Sequence, residues 1–247
     1  GIWQASHVYP LFENALRAHY GNSLPEHQIM MGELFSRLSE VAESSPHAWY
    51  PVKRSPEEIA TATPSNRFVG WPYTKFMNAM NQINQSASLL LTSIEKAEEM
   101  GVDPNRWVFL HGASDVTDVW NVSYRENFYS SPSMKIMGEN ALNMAGLEIN
   151  DIRHLDLYSC FPSAVQIARN ELGIPKDDQR HLTVTGGLPF HGGAGNNYVM
   201  NSIAAMADKL RSDRGSFGMV TANGGYISKH AAGIYSTKPL ESDWNRE

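Results

Sequence analysis

An α/β layered fold with crossover helices is what the sequence predicts, and three observations carry it. From about residue 84 onward, short apolar runs alternate with amphipathic stretches, the pattern of strands joined by packing helices. Glycines stand where helices have to stop, at Gly101, Gly146 and Gly173. The segments that follow candidate strands collect the residues capable of chemistry, and open α/β sheets bind their ligands beyond the carboxyl ends of strands.

Taken in order, residues 1 to about 72 read as helices broken by turn signals, an excursion without a sheet. Residues 8–20 place Leu11, Phe12, Ala15, Leu16 and His19 at i, i+3, i+4 spacing, and residues 29–41 repeat this with Met30, Leu34, Leu38 and Val41. A proline-punctuated connection follows, in which Ser55 caps a short helix with Pro56 in its first turn. Then come a buried strand over 87–92, a helix over 94–100, a strand over 107–110 and a helix over 133–145. A strand over 154–158 and a helix over 163–172 lead to a long helix over 196–210, a strand over 216–221 and its hairpin partner over 233–236. Unpaired, the 87–92 strand would leave an apolar edge that favours association or domain swapping.

Composition bounds the function. The chain has 247 residues, 20 Lys+Arg against 26 Asp+Glu, a net charge of -6 and 42% hydrophobic residues, which excludes disorder and collagen. That acidic balance gives no electrostatic reason to expect nucleic acid or an anionic membrane, and no run approaches the roughly 18 apolar residues of a membrane span. The single cysteine, Cys160, can form neither an intrachain disulfide nor a cysteine-based metal site, so a reducing, cytoplasmic compartment is expected. The nine histidines show no zinc-ligand spacing; His7, His19, His27 and His47 are expected at the surface or in packing. Without an initial methionine, the chain opening at Gly1 reads as processed, as a tag remnant, or as a piece of something longer.

Three segments could carry chemistry. Residues 185–197 form a glycine-rich loop opening the longest helix, with His191 in its middle; a titratable ring there can act as base or oxyanion donor. The loop lacks the Gly-Lys-Ser/Thr ending of a phosphate loop, and a tight turn for close packing is the plainer alternative. Residues 156–163 put Tyr158, Ser159 and Cys160 on a strand-to-helix turn. Cys160 is either a nucleophile activated by the helix start or, as free cysteines more often are, a small buried hydrophobe. Residues 221–230 make a strand, the turn Asn223-Gly224-Gly225, and a return bearing Lys229 and His230; a plain hairpin explains these as well. A serine hydrolase is disfavoured, since no Gly-x-Ser-x-Gly occurs.

As an ordered set, four segments resemble the C-terminal part of a thiolase: residues 78–93, Leu157-Tyr158-Ser159-Cys160-Phe161, residues 185–195 and Asn223-Gly224-Gly225. Tyr-Ser-Cys-Phe-Pro and Lys-His-Ala at these places are similar to divergent acetyl-CoA acetyltransferases and thiolase-like proteins related to the sterol-carrier-protein thiolases. The resemblance implies the C-terminal half of a layered αβαβα fold: residues 1–72 a portion of the helical loop domain, 73–106 the tail of the N-terminal domain, 107–247 the C-terminal domain. It implies lipid metabolism, an acyl-CoA thioester as substrate with no further cofactor or metal, a homo-oligomer, and a nucleophilic cysteine in an N-terminal half or partner subunit that this chain lacks. By the same resemblance His191 is the histidine that activates the nucleophile and helps form the oxyanion hole. Tyr158 falls where an Asn or His holds an oxyanion-hole water, and Asn223, Gly224 and Gly225 contact substrate. Ala222 falls at the second, acid/base cysteine, and alanine moves no proton; His230 is expected to supply that function. The resemblance therefore implies a thiolase-type acyltransferase whose residues 1–247 are inactive alone, or else a non-catalytic acyl-CoA-binding or interaction subunit.

Overall fold

The computed structural model describes residues 3–241. Helix α1 (Ala5–Tyr20) buries Val8, Tyr9, Phe12 and Leu16 and stops at Gly21, whose φ of 73° no β-carbon favours. Helix α2 (Leu24–Glu43) starts at a reciprocal capping box between Ser23 and Glu26 and buries Met31, Phe35, Leu38 and Ala42. Both helices were legible, but their inward faces are rotated from the expected ones: Leu11 is exposed, because Tyr9 turns in to stack on Phe161 at 4.3 Å. Helix α3 (Pro56–Ala60) carries the expected Ser55 cap, closed by Glu58. The expectation of no sheet before residue 72 is corrected by a two-stranded antiparallel pair, β1 (Phe68–Gly70) and β2 (Tyr73–Thr74).

The expected strand over 87–92 is also corrected. Those residues are assigned to no strand and Leu90 and Leu91 are exposed, since an apolar run becomes a strand only where another backbone completes its ladder. One residue is anchored: Asn197 Oδ1 accepts from Ala87 N at 2.9 Å while its Nδ2 donates to Ala87 O at 3.3 Å. The side-chain amide does for Ala87 what a neighbouring strand would do.

Beyond α4 (Ile94–Glu99) the predicted alternation is present, as β3 (Phe109–Thr117), α5 (Pro132–Ala145), β4 (Ile152–Asp156), α6 (Pro162–Glu171), α7 (Gly187–Phe190), α8 (Tyr198–Ser212), β5 (Phe217–Gly224) and β6 (Lys229–Ser236), with three corrections: β3 begins at 109 and runs to 117 where 107–110 was expected, β6 begins at 229 where 233 was expected, and α7 is an unexpected turn of helix within the glycine loop. One four-stranded sheet runs in the order β3-β6-β5-β4, parallel only between β4 and β5. Side chains alternate across it. Met219, Ala232 and Ile234 join the core shared with α1, α2, α5 and α6, whereas Val220 and Tyr235 pack with Met206 and Leu210 of α8. The result is a layered αβα fold in which the first two helices share one core with the later layers. Among the described residues no helix is long and apolar enough to cross a membrane.

Candidate active site

The glycine loop follows from close packing. A β-carbon on Gly186, at φ 106°, would lie 2.4 Å from Ala42 Cβ and 2.9 Å from Ala42 N, and one on Gly187, at φ 76°, would lie 2.6 Å from Ser159 Oγ. Glycine at both positions lets the chain pass under α2, turn through α7 and present His191. The backbone of His191 is then held on three sides. Its N–H donates to Gly187 O at 2.8 Å, and its carbonyl accepts from Trp49 N at 2.9 Å and Gln85 Nε2 at 2.7 Å. Its ring is buried, and neither nitrogen has a partner of normal hydrogen-bond geometry among the described residues, the Asn201 side chain and the Thr185 backbone acting on it only loosely. Burial lowers the His191 pKa, with the Asp156 carboxylate opposing that fall.

Asp156 is the hub that the sequence reading did not assign. Fully buried at the end of β4, it accepts from Thr183 Oγ1 at 2.8 Å and Val184 N at 2.9 Å through Oδ2, and from Ser202 Oγ at 2.8 Å through Oδ1. Thr185 and Tyr198 complete the set, their hydroxyls 2.8 Å apart. This carboxylate ties β4, the start of the glycine loop and α8 into one unit. The Tyr198 ring stands 6.1 Å from His191 and 5.6 Å from Tyr158, edge-on to both. Burial raises the Tyr158 pKa, so its phenol is a neutral O–H donor near neutral pH. The signal for Asp156 was strand alternation, which puts it on the same face as Tyr158 two residues later.

The predicted residues divide between the two faces of the sheet. Asp156 pairs with Val220 and Ala222 with Ala231, so Ala222 shares the α8 face with Asp156 and the Tyr158–His191 cluster. Asn223 and His230 are cross-strand partners one position along and face the other way. Asn223 Nδ2 donates to Tyr9 Oη at 3.2 Å and approaches Cys160 Sγ at 3.9 Å. Burial pushes the Cys160 thiol up to about 11, and the side chain is enclosed, which fits a small hydrophobe and leaves no thiolate. His230 is buried with Nε2 3.4 Å from Ser131 Oγ, beside the Arg125–Asp118 ion pair of 3.0 Å, and burial pushes its pKa down to about 4. The register thus separates His230 from Ala222, the position whose missing function it was expected to supply.

The Asn223-Gly224-Gly225 segment opens a hairpin whose loop, residues 225–228, holds three successive left-handed residues. Gly225, Tyr226 and Ile227 have φ of 58°, 62° and 61°; for a β-branched, buried isoleucine this is strained backbone. His27, expected at the surface or in packing, has a specific partner that spacing could not reveal. It is buried, with Nε2 2.6 Å from Glu13 Oε1, and Glu13 also accepts from Tyr73 Oη and Gln166 Nε2 at 2.7 Å each. Among the described residues no group of three or more His, Cys, Asp or Glu could hold a metal ion.

No family model matches the chain, and no curated protein matches it. Solved structures do. A monomeric SCP2-thiolase-like protein type 1 from Mycobacterium smegmatis is 42% identical over 100% of this chain with a TM-score of 0.93. The Ltp2-ChsH2(DUF35) aldolase, a complex with a partner, is 21% identical over 97% of the chain and 65% of its own length, TM-score 0.75. An acetyl-CoA acetyltransferase from Syntrophomonas wolfei is 15% identical over 94% and 61%, TM-score 0.67. The latter two show the fold alone. That fold is thiolase-like. The chain stands in a thiolase-like superfamily relationship and spans 54% of the length of the SCP2-thiolase-like protein it matches.

Proposed function

We propose that this chain supplies the histidine side of a thiolase-type acyltransferase site acting on an acyl-CoA thioester, the nucleophilic thiolate coming from outside residues 1–247. The observation that carries the reading is His191: a buried imidazole with lowered pKa, its backbone fixed on three sides and its ring nitrogens held only loosely, by Asn201 and the Thr185 backbone. A neutral imidazole is the form that takes a proton from a thiol. Tyr158, which like His191 packs edge-on to Tyr198, offers an O–H to the oxyanion that forms when the thiolate attacks the thioester carbonyl. The only cysteine, Cys160, is enclosed and kept protonated, so the thiolate has to come from a further segment or a partner subunit. The same partner, or a second copy of the chain, would cover Leu90 and Leu91. Replacing His191 by Gln in the whole protein is expected to slow acetoacetyl-CoA cleavage by about 10²–10⁴-fold; unchanged turnover would defeat the assignment. Residues 1–247 alone are expected to cleave no acetoacetyl-CoA.

A second reading, an acyl-CoA-binding subunit without chemistry, is favoured by Ala222. His230, the group expected to take its place, is on the opposite face. Acetyl-CoA binding by the whole protein with turnover absent, in wild type and His191→Gln alike, would select it.

A further inference from the structure

Both ring nitrogens of His191 are enclosed by the protein, so the polar groups beside the ring decide which nitrogen carries the proton of the neutral form. Two such groups act on it loosely, the Asn201 side chain more strongly than the Thr185 backbone. Asn201 is placed for this by α8. It is buried and lies three residues beyond Tyr198, on the same helix face, and the Tyr198 ring stands edge-on to His191 at 6.1 Å.

The orientation of the Asn201 carboxamide is decided two groups away. Ala87 presents a backbone N–H and a backbone carbonyl, and Asn197 meets them with Oδ1 accepting at 2.9 Å and Nδ2 donating at 3.3 Å. Turned over, that amide would set donor against donor and acceptor against acceptor. Held this way, Asn197 shows Asn201 two acceptors, its backbone carbonyl and its Oδ1, and Asn201 Nδ2 donates to them at 3.0 and 3.2 Å. Both amide protons of Asn201 are thereby used on one side, and its oxygen, which only accepts, is left for the ring.

We propose that Asn201 is a positioning residue that fixes the tautomer of His191. Its carboxamide oxygen accepts from one ring N–H, and the other ring nitrogen is left bare. In the acyltransferase reading, on which this use rests, the bare nitrogen takes the proton of the thiol; the tautomer itself is a property of the protein without substrate. Residues 85–87 then act on His191 twice. Gln85 Nε2 holds its backbone carbonyl at 2.7 Å, and Ala87, through Asn197 and Asn201, sets the polarity of its ring.

The test is the imidazole ¹H–¹⁵N correlation spectrum of the ¹⁵N-labelled whole protein, without substrate, at about pH 8, where the lowered pKa keeps His191 neutral. The His191 signals are those lost in His191→Gln. A fixed tautomer gives one protonated and one bare nitrogen with widely separated shifts, whereas exchange between tautomers averages them. Wild type is expected to show the fixed pattern and Asn201→Ala to lose it. Averaged shifts in wild type, or the fixed pattern persisting in Asn201→Ala, would overturn the proposal, the latter giving the ring to Thr185. Should the alanine variant fail to fold, the nuclear Overhauser contacts of the ring N–H in wild type decide it: contacts to Asn201 are expected, and contacts to Thr185 alone would contradict it. None of these readings depends on turnover. A fixed tautomer lost in Asn201→Ala, beside unchanged acetoacetyl-CoA cleavage in His191→Gln, would uphold the positioning role and defeat the acyltransferase assignment.

Discussion

Two buried histidines lie on opposite sides of one four-stranded sheet, and what surrounds them differs. On the α8 side, His191 has a fixed backbone, a ring loosely held by Asn201 and the Thr185 backbone, and a carboxylate, Asp156, that opposes the effect of burial. On the α5 side, His230 is packed against Ser131 and an Arg125–Asp118 pair, and burial dominates it. Burial is the first cause at both rings and a carboxylate opposes it at both, Asp156 at His191 and Asp118 at His230; what differs is the Arg125 guanidinium, which counters Asp118 on the α5 side. One position of strand register decides which face a residue joins, which is why Ala222 and Asn223, neighbours in sequence, end in different environments.

The contrast can be broken at several strengths. Asp156→Ala removes the acceptor for Thr183, Val184, Ser202 and their neighbours, and is expected to cost about 3–5 kcal/mol in urea unfolding. A loss below about 1 kcal/mol would mean that the hub does not organise the α8 side. For the α5 side the signature is pH. The folded His230 pKa of about 4 lies below the unfolded value of about 6.5. The unfolded chain then binds the extra proton between those values, so this group's stabilisation is full above about pH 6.5 and lost as pH falls toward 4. The change is about 3 kcal/mol, read as the difference between wild type and His230→Gln in unfolding measured from pH 7 to 4. Parallel curves for the two proteins would show that the ring is not desolvated. Gly186→Ala is expected to cost about 2 kcal/mol, because its φ is positive and Ala42 blocks the β-carbon. Gly21→Ala, with positive φ but open space, should cost about 1 kcal/mol, and equal costs would remove packing from the explanation. A kinetic test concerns Cys160. With its pKa raised from 9.0 to about 11, alkylation by iodoacetamide at pH 8 should run about a hundredfold slower than in the unfolded chain.

Much of this arrangement was legible in the sequence, for local reasons. The Ser55 cap, the glycine stop at Gly146 and the apolar runs of β4 and β5 are set by nearest neighbours. What escaped depends on partners far along the chain. Tyr9 rather than Leu11 turns inward because Phe161 is there to stack on it. His27 is buried because Glu13 meets it, and residues 87–92 stay unpaired because an apolar run does not carry its own ladder partner. His191, Tyr158 and the Asn223–Gly225 turn were found as motifs. Their division between two faces needed the β5–β6 register, and the Asp156 hub needed the Thr183–Thr185 and Ser202 hydroxyls brought to one carboxylate.

Histidine ring resonances in the whole protein, followed while acetyl-CoA is added, test most directly whether the chemistry belongs to the α8 face. The structure and the proposed function together predict that the His191 Cε1–H signal moves to saturation while that of His230 stays in place. Movement of His230 with His191 unchanged would contradict the account, placing the acyl group on the α5 side of the sheet.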